Sequence, residues 1–472
     1  LALDAEGRIL ALRIKGLGDL GAFLTPVAPL FSTINVPKNA PGVYRTPAIS
    51  AEIKCYVTNA TPVGAYRGAG RPEGNYIIER LIELAARETG RDPVALRRLN
   101  HIRPDQIPYT TPVDTTYDSG NFPAVFDRAL AASDWDGFPA RKAESRERGK
   151  LRGRGIGQYL EVTAPPQNEM GGIRFEENGD VTIITGTLDY GQGHWSAFAQ
   201  VLTEKLGVPF DRIRLLQGDS DQLVAGGGTG GSKSIMASGA AIAEAAEKVV
   251  ELGRTVAAEL LETGVADIEF ADGTFTVAGT DRRIGIMDLA ERLRGGVPLP
   301  DGVPRSLDVQ HVHQSSPSAY PNGCHVAEVE IDPETGTAEI VRYTMVNDFG
   351  TVVNPMLVEG QLHGGVVQGI GQAIMERTAY DESGQLVSGS FMDYALPRAV
   401  HAPHFVFESR PEPATTNPLG AKGCGEAGCA GALPSVMNAL IDALGEYGID
   451  RLDMPATPDR VWRAIRDAEA AR

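Results

Sequence analysis

Four glycine-rich turns, far apart along the chain, each run directly into a helix-forming stretch: Gly64 to Arg71, Tyr190 to His194, Gly226 to Ser234 and Gly423 to Gly428. Glycine has no Cβ to hold a neighbour away, and a turn that opens a helix presents backbone N–H groups to anionic oxygens. A single turn of this kind is most often an ordinary tight turn. Four in one chain constrain the fold more strongly, because together they read as the walls of a site for a phosphate-bearing ligand. In the last of them Glu426 stands among small residues, poised as a base or, on the plainer reading, a solvated loop carboxylate.

With 472 residues the chain is too long for one ordinary core, so two or three domains are expected. A net charge of -17 and a pI near 5.0 argue against nucleic acid or an anionic membrane as partner. No apolar run stands out as long enough to span a bilayer, so a soluble, cytoplasmic protein is expected. Cys55, Cys324, Cys424 and Cys429 are too few and too scattered for a disulfide framework, and they form no CxxC pair to hold zinc or an iron–sulfur cluster. Electrons passing through this chain would need a relay on another subunit. Leu1 to Ile14 reads as two strands around an Asp-Ala-Glu-Gly turn, as though the chain starts within a sheet, and a fragment or one half of a split subunit is expected.

Gly16 to Gly21 matches the dinucleotide fingerprint GxGxxG, but its context fails. Pro26 and Pro29 interrupt a following helix, and no Asp or Glu occurs between Gly21 and Glu52. A nicotinamide-dependent dehydrogenase is therefore a poor reading. Asn75 to Arg87 carries the stripe of an amphipathic helix closed by Gly90, and Asp92-Pro93 opens another. Residues 101–125, rich in Pro, Thr and Asp, mark a boundary between units 1–120 and 121–472. The charged stretch Arg141 to Arg154 is expected to be a solvated helix or linker.

Beyond Gly155, strands are expected at Ile173 to Phe175, Val181 to Thr185 and Arg212 to Leu216, with helices at Trp195 to Leu206 and Ser238 to Glu262. A hairpin joins Val326 to Ile331 with Thr337 to Tyr343. This mixture indicates an α+β fold. Glu359 to Gln372 is a glycine-rich helix, which implies either a close helix crossing or a ligand approached by Gln368.

These residues resemble the molybdenum-binding subunit of the xanthine oxidase family of molybdenum hydroxylases, which includes aerobic carbon monoxide dehydrogenase and aldehyde oxidoreductases. The motifs occur in the family's order, from the opening hairpin to Ala456 through Ala464; the family's upstream hammerhead-like region lies outside this sequence. The resemblance implies two molybdopterin-binding domains of mixed sheets and packed helices, with the cofactor between them: 1–120 as the C-terminal part of the first and 121–472 as the second. It implies a molybdenum–molybdopterin cofactor in the cytosine dinucleotide form. Arg67, Gly68 and Ala69 match the loop under the metal, and Gly191, Gln192, Gly193 and His194 the loop at the pterin and pyrophosphate. Thr229, Ser232, Lys233 and Ser234 match the phosphate loop, and Gln368, Lys422 and Gly423 further cofactor contacts. The metal would be held by the pterin dithiolene, with no direct protein ligand.

Glu426 matches the family's active-site base, while Arg71 and Glu161 are matched to the substrate pocket, a plain surface Glu being the alternative at position 161. The implied activity is hydroxylation of an aldehyde or N-heteroaromatic carbon with oxygen from water. Electrons would leave through iron–sulfur and FAD subunits, and a separate chain carrying the upstream region is a further expected partner. A cofactor-free scaffold half of a split subunit is the alternative. Two departures narrow the substrate. Gly68 stands where carbon monoxide dehydrogenases place a copper-binding Cys, and Ala69 where xanthine oxidase places a stacking Phe.

Overall fold

The computed structural model describes residues 1–164, 167–314 and 317–472. Its first region pairs strand β1 (Ile9–Asp19) in parallel with β2 (Ile49–Tyr56). Helix α1 (Arg71–Thr89) follows, ending at left-handed Gly90, and then α2 (Pro93–Asn100), whose N-cap Asp92 accepts from the amides of Val94 and Ala95. Both helix ends are where the sequence placed them. The GxGxxG segment runs from the end of β1 into the turn at Gly21 and opens no helix. One expectation is corrected here: Pro29 does not interrupt helical structure, because it sits in the first turn of the short segment that begins at Ala28, where the missing N–H costs nothing.

The central layer is a four-stranded sheet. In order it runs β10 (Phe405–Ser409), β9 (Ala338–Asp348), β8 (Asn322–Ile331) and β3 (Leu151–Leu160). A second sheet places β7 (Val309–His313) beside β4 (Glu169–Phe175), then β5 (Val181–Ile184) and β6 (Ile213–Leu216). Helices α5 (His194–Leu206) and α6 (Ser234–Leu260) cover the second sheet through one apolar core that includes Ile183, Phe198, Leu202 and Ile242. Helices α7 (Pro355–Ile374) and α8 (Ala427–Leu444) cover the first. Helix α6 begins four residues before the expected Ser238, because the turn itself winds into it.

Glycines at every second position of β3 explain how α8 lies so close. Gly153, Gly155 and Gly157 share one face of the strand, and a Cβ on each would come within 2.1, 2.2 and 2.5 Å of α8 backbone atoms. The glycines of α7 serve the same end: Gly365 meets the backbone of Gly428, and Gly369 the side chain of Ala432. The glycine-rich helix is thus a close crossing. Ala427–Tyr447 is also, by length and a mean hydropathy of 1.3, apolar enough to cross a membrane, which corrects the reading that no such run exists. It is the buried central helix of the core.

The stretch from Arg141 to Arg154 is in its first half the largely exposed helix that was expected, and in its second half a buried strand. It forms part of helix α4 (Phe138–Glu147) and the start of β3, and Arg141 and Arg152 are mostly buried against Glu328 at 2.6 Å each. The division at residue 120 runs through a shared cluster, since Tyr117 and Phe122 pack with Ile9, Tyr44 and Ile78.

Candidate active site

Four helices begin at one pocket of about 600 Å³. Its lining includes His194 of α5, Ser234 of α6, Asn354 and Leu357 at the start of α7, and Glu426 at the start of α8. The sheets bring the N-terminal ends of these helices together from positions more than two hundred residues apart. Each end carries the partial positive charge of its helix dipole; Asp189 and Asn354 already accept from amides at the starts of α5 and α7, whereas the start of α6 has no side-chain cap and favours an anionic occupant.

Glu426 is the N-cap of α8, and its side chain is 13% exposed, toward the pocket. The Gly68 amide donates to Oε1 at 3.1 Å, and the Ser232 hydroxyl to Oε2 at 2.8 Å. Ser232 Oγ in turn accepts from the Glu426 amide at 3.0 Å. Three of the four glycine turns therefore meet at this carboxylate. Gly423 permits the approach, since a Cβ there would lie 1.5 Å from the Ser232 carbonyl oxygen.

The Gly68 amide is aimed by unusual backbone. Gly68, Ala69 and Gly70 all have positive φ, at 100°, 47° and 92°, and Ala69 is the one that pays in strain. Arg67 holds this turn. Its guanidinium donates to the Gly425 carbonyl, to Gln368 Oε1 at 2.9 Å and to Gln361 Oε1 at 2.7 Å. Because arginine only donates, both glutamine amides are fixed with oxygen toward Arg67 and nitrogen turned away. Gln361 lines the pocket.

The residues expected from sequence divide into three groups. Arg67, Gly191, Gln192, Gly193, His194, Thr229, Ser232, Ser234, Lys422, Gly423 and Glu426 line the pocket together. Gly68, Ala69 and Gln368 stand behind that lining and shape it. The rest direct their charged groups elsewhere. The Lys422 ammonium is committed to a fully buried ion pair with Asp348 at 2.6 Å, so only the rest of that residue reaches the pocket. Lys233 turns its ammonium to Gln167 and to the Gly227 carbonyl at 3.4 Å, and it does not contribute to the lining. Glu161 is no surface residue: it is fully buried, 3.2 Å from Arg71 Nε, and neither it nor Arg71 lines the pocket.

The amides of the Gly191 turn are likewise engaged. Gly191, Gly193 and His194 donate to the Asp189 carboxylate at 2.8, 3.3 and 2.8 Å. Partial burial opposes the Asp189 charge, yet these amides hold its proton affinity below the usual carboxylate range. Asp189 escaped the sequence reading, as did Gln361, Asn354, Thr351 and Tyr66 on the lining. Gln361 stands two helical turns before Gln368 on the same face, a spacing that would have found it.

Cys424 also lines the pocket. Burial pushes its thiol up to about 11, so it stays protonated near neutral pH. Among the described residues no group of three His, Cys, Asp or Glu side chains is set to hold a metal ion. The pocket instead offers helix N-termini, hydroxyls and oriented amides, the donor set suited to a phosphate-bearing heterocycle.

Models of the molybdopterin cofactor-binding domain match residues 1–101 and 128–403. The chain belongs to the molybdopterin cofactor-binding family. Among its relatives, subunit gamma of the 6-hydroxypseudooxynicotine dehydrogenase complex of Paenarthrobacter nicotinovorans is 34% identical, over 98% of this chain and 59% of its own length. The carbon monoxide dehydrogenase large chain of Hydrogenophaga pseudoflava is 33% identical, over 100% of this chain and 60% of its own. The crystal structure of quinoline 2-oxidoreductase from Pseudomonas putida 86 superposes with a TM-score of 0.92 at 32% identity, covering 99% of this chain and 61% of that one. This molybdopterin-binding chain thus spans about three fifths of the length of those relatives. The α+β architecture expected from sequence is the one these structures share.

Proposed function

We propose that the chain is the catalytic part of a molybdenum hydroxylase, acting on an aldehyde or N-heteroaromatic carbon with oxygen derived from water. The observation that carries this reading is the placement of Glu426, half-ringed by the Gly68 amide and the Ser232 hydroxyl, at the mouth of a helix-lined pocket. A carboxylate has about four acceptor positions; two are filled by the protein, which leaves acceptor capacity for a ligand in the pocket that Glu426 lines. When bound, the molybdenum cofactor supplies the two-electron redox chemistry. Glu426 accepts the proton, while Gly68 and Ser232 keep its oxygens aimed, and a positioned base of this kind contributes about a hundred- to ten-thousand-fold.

On this reading the amide nitrogen of Gln361, the Ser234 hydroxyl and the start of α6 hold the cofactor, with its nucleotide in the cytosine dinucleotide form. Electrons leave through iron–sulfur and FAD subunits, and a further region completes the site; relatives are named as subunits or large chains of complexes. Residues 1–120 and 121–472 are the two cofactor-binding units, and the complex is cytoplasmic. The cofactor-free scaffold reading has no comparable support, since the base and the helix ends are both in place.

Within the family the site disfavours carbon monoxide. A Cβ at position 68 would lie 2.3 Å from Pro72 Cγ, and the backbone there has a φ of 100°, so a cysteine would require the turn to be rebuilt. Relatives named for nicotine and quinoline act on N-heteroaromatic molecules, which agrees with a pocket whose walls include Phe198, Ile235, Phe349 and Val352. The deciding experiment combines metal analysis with a substrate screen of the assembled complex, using an artificial electron acceptor. Stoichiometric molybdenum and turnover of aldehydes or heteroaromatics are expected; a metal-free complex, or one that oxidises only carbon monoxide, would contradict the reading.

A further inference from the structure

We propose that Gln217 is a positioning residue for His194, holding it as a neutral ring whose Nε2–H donates to an acceptor oxygen of the pocket's occupant, which rests on the reading of that occupant as the molybdenum cofactor. Strands β5 and β6 run in parallel, and just past their ends stand Thr187 and Gln217. His194 opens α5 beside them, is 6% exposed, and lines the pocket. Gln217 does not reach the lining and acts from behind it.

One backbone amide sets the direction of every bond here. The Asp189 N–H donates to Gln217 Oε1 at 3.1 Å, so that end of the side chain is the oxygen and the other end the nitrogen. Nε2 has two hydrogens and two neighbours, Thr187 Oγ1 at 3.0 Å and His194 Nδ1 at 3.3 Å. An amide nitrogen only donates, so Nδ1 accepts and carries no proton. A ring with a bare Nδ1 is neutral and keeps its one proton on Nε2. Thr187 is fully buried and lies 3.1 Å from the Ser238 hydroxyl of α6, which steadies the bridge on the side away from the ring.

The donor so defined finds no acceptor within the protein. Nε2 has no hydrogen-bond partner among the described residues, although the residue is more than nine-tenths buried. The neighbouring Asp189 carboxylate is taken up by the amides of Gly191, Gly193 and His194. Phe198, whose ring centroid lies 5.1 Å from that of His194, offers no oxygen. A buried N–H left open is costly unless a ligand takes it, and the pocket that His194 lines is where an acceptor can enter. The matching ligand group is an oxygen without a hydrogen of its own, a phosphate oxygen or a ring carbonyl, and a pterin dinucleotide carries both.

The test is a double-mutant cycle on the purified complex, read as the rate at which molybdenum and pterin fluorescence leave the protein during dialysis. A hydrogen bond of this kind changes binding by about tenfold, so His194→Phe should speed the loss by about that factor. Gln217→Met, which frees the ring, should act in the same direction with a smaller size, and in the His194→Phe background it should add nothing. If Gln217 served only to hold the Asp189 turn, the two effects would multiply instead. Should Gln217→Met not accumulate, Gln217→Asn is one carbon short of bridging the Asp189 amide and the ring, and carries the same expectation. A crystal structure of the loaded complex should place an acceptor oxygen within hydrogen-bond distance of His194 Nε2, and its identity tells phosphate from ring carbonyl. Effects that multiply, retention unchanged in His194→Phe, or no acceptor oxygen at Nε2 overturns the proposal. An unmutated complex that carries neither molybdenum nor pterin overturns the functional reading as well.

Discussion

Two glutamates, Glu79 of α1 and Glu426 at the start of α8, live in opposite circumstances. Glu79 is fully enclosed and fully answered: Tyr44 donates to one oxygen, and Arg97 donates to the other at 3.1 and 2.8 Å. Arg97 is equally enclosed and pairs also with Glu83 at 2.8 Å. Burial opposes the Arg97 charge, and the carboxylates more than offset it. Around Glu426 the chain stops short. The carboxylate is held at both oxygens yet left with an open side, and the carboxyl behind it, Glu161, has only Arg71. A carboxylate that serves the fold closes its own hydrogen bonds; one that serves chemistry leaves some for a ligand.

That contrast can be broken at several strengths. The largest effect on stability is expected from Arg97→Met, which strands Glu79 as a buried unpaired carboxylate at a cost of about 3–5 kcal/mol. A large fall in melting temperature or in soluble yield would show it; a melt like that of the unmutated chain would mean that Glu79 simply takes up a proton. Gly155→Ala should cost about 1–3 kcal/mol, near the upper end, because the new methyl meets the backbone of α8 and not a side chain that can swing away. Its melting point should fall further than that of Glu426→Gln, which keeps the shape and the acceptor for the Gly68 amide and turns round the bond to Ser232, the new amide nitrogen donating to Oγ.

The buried histidines give a pH signature away from the pocket. Burial depresses His101 and His325 from the ordinary 6.5 to about 4. In the unfolded chain each takes up its proton near pH 6.5, so their contribution is fully present above that pH and is lost as pH falls toward 4. Melting temperature should therefore drop between about pH 6.5 and 4, and less steeply in His325→Gln. The smallest effect is expected from Gly90→Ala, at about 1 kcal/mol, since Gly90 ends α1 with a φ of 67° and nothing lies within 4 Å of a new methyl.

Much of the architecture was legible in local signals. Gly90 and Asp92 mark helix ends through backbone chemistry that does not depend on the rest of the fold, and the turns at Gly64, Gly226 and Gly423 announced themselves by glycines that close approach demands. Glu161 was not legible, because β3 is covered on both faces and its alternation carries no clue to depth. Lys422 offers its partner 74 residues upstream, and only the folded sheet brings the two together. Arg141 and Arg152 look solvated for the same reason: Glu328, which takes both, belongs to a strand far along the chain. Asp189 caps its own turn, which a reading of glycines alone overlooks.

The central claim is that Glu426 is the base of a molybdenum-dependent hydroxylation, and the most direct measurement is turnover of the Glu426→Gln complex alongside its molybdenum content. The account predicts metal retained near the unmutated level with turnover lower by about a hundred- to ten-thousand-fold. Full turnover in the metal-loaded variant would contradict it.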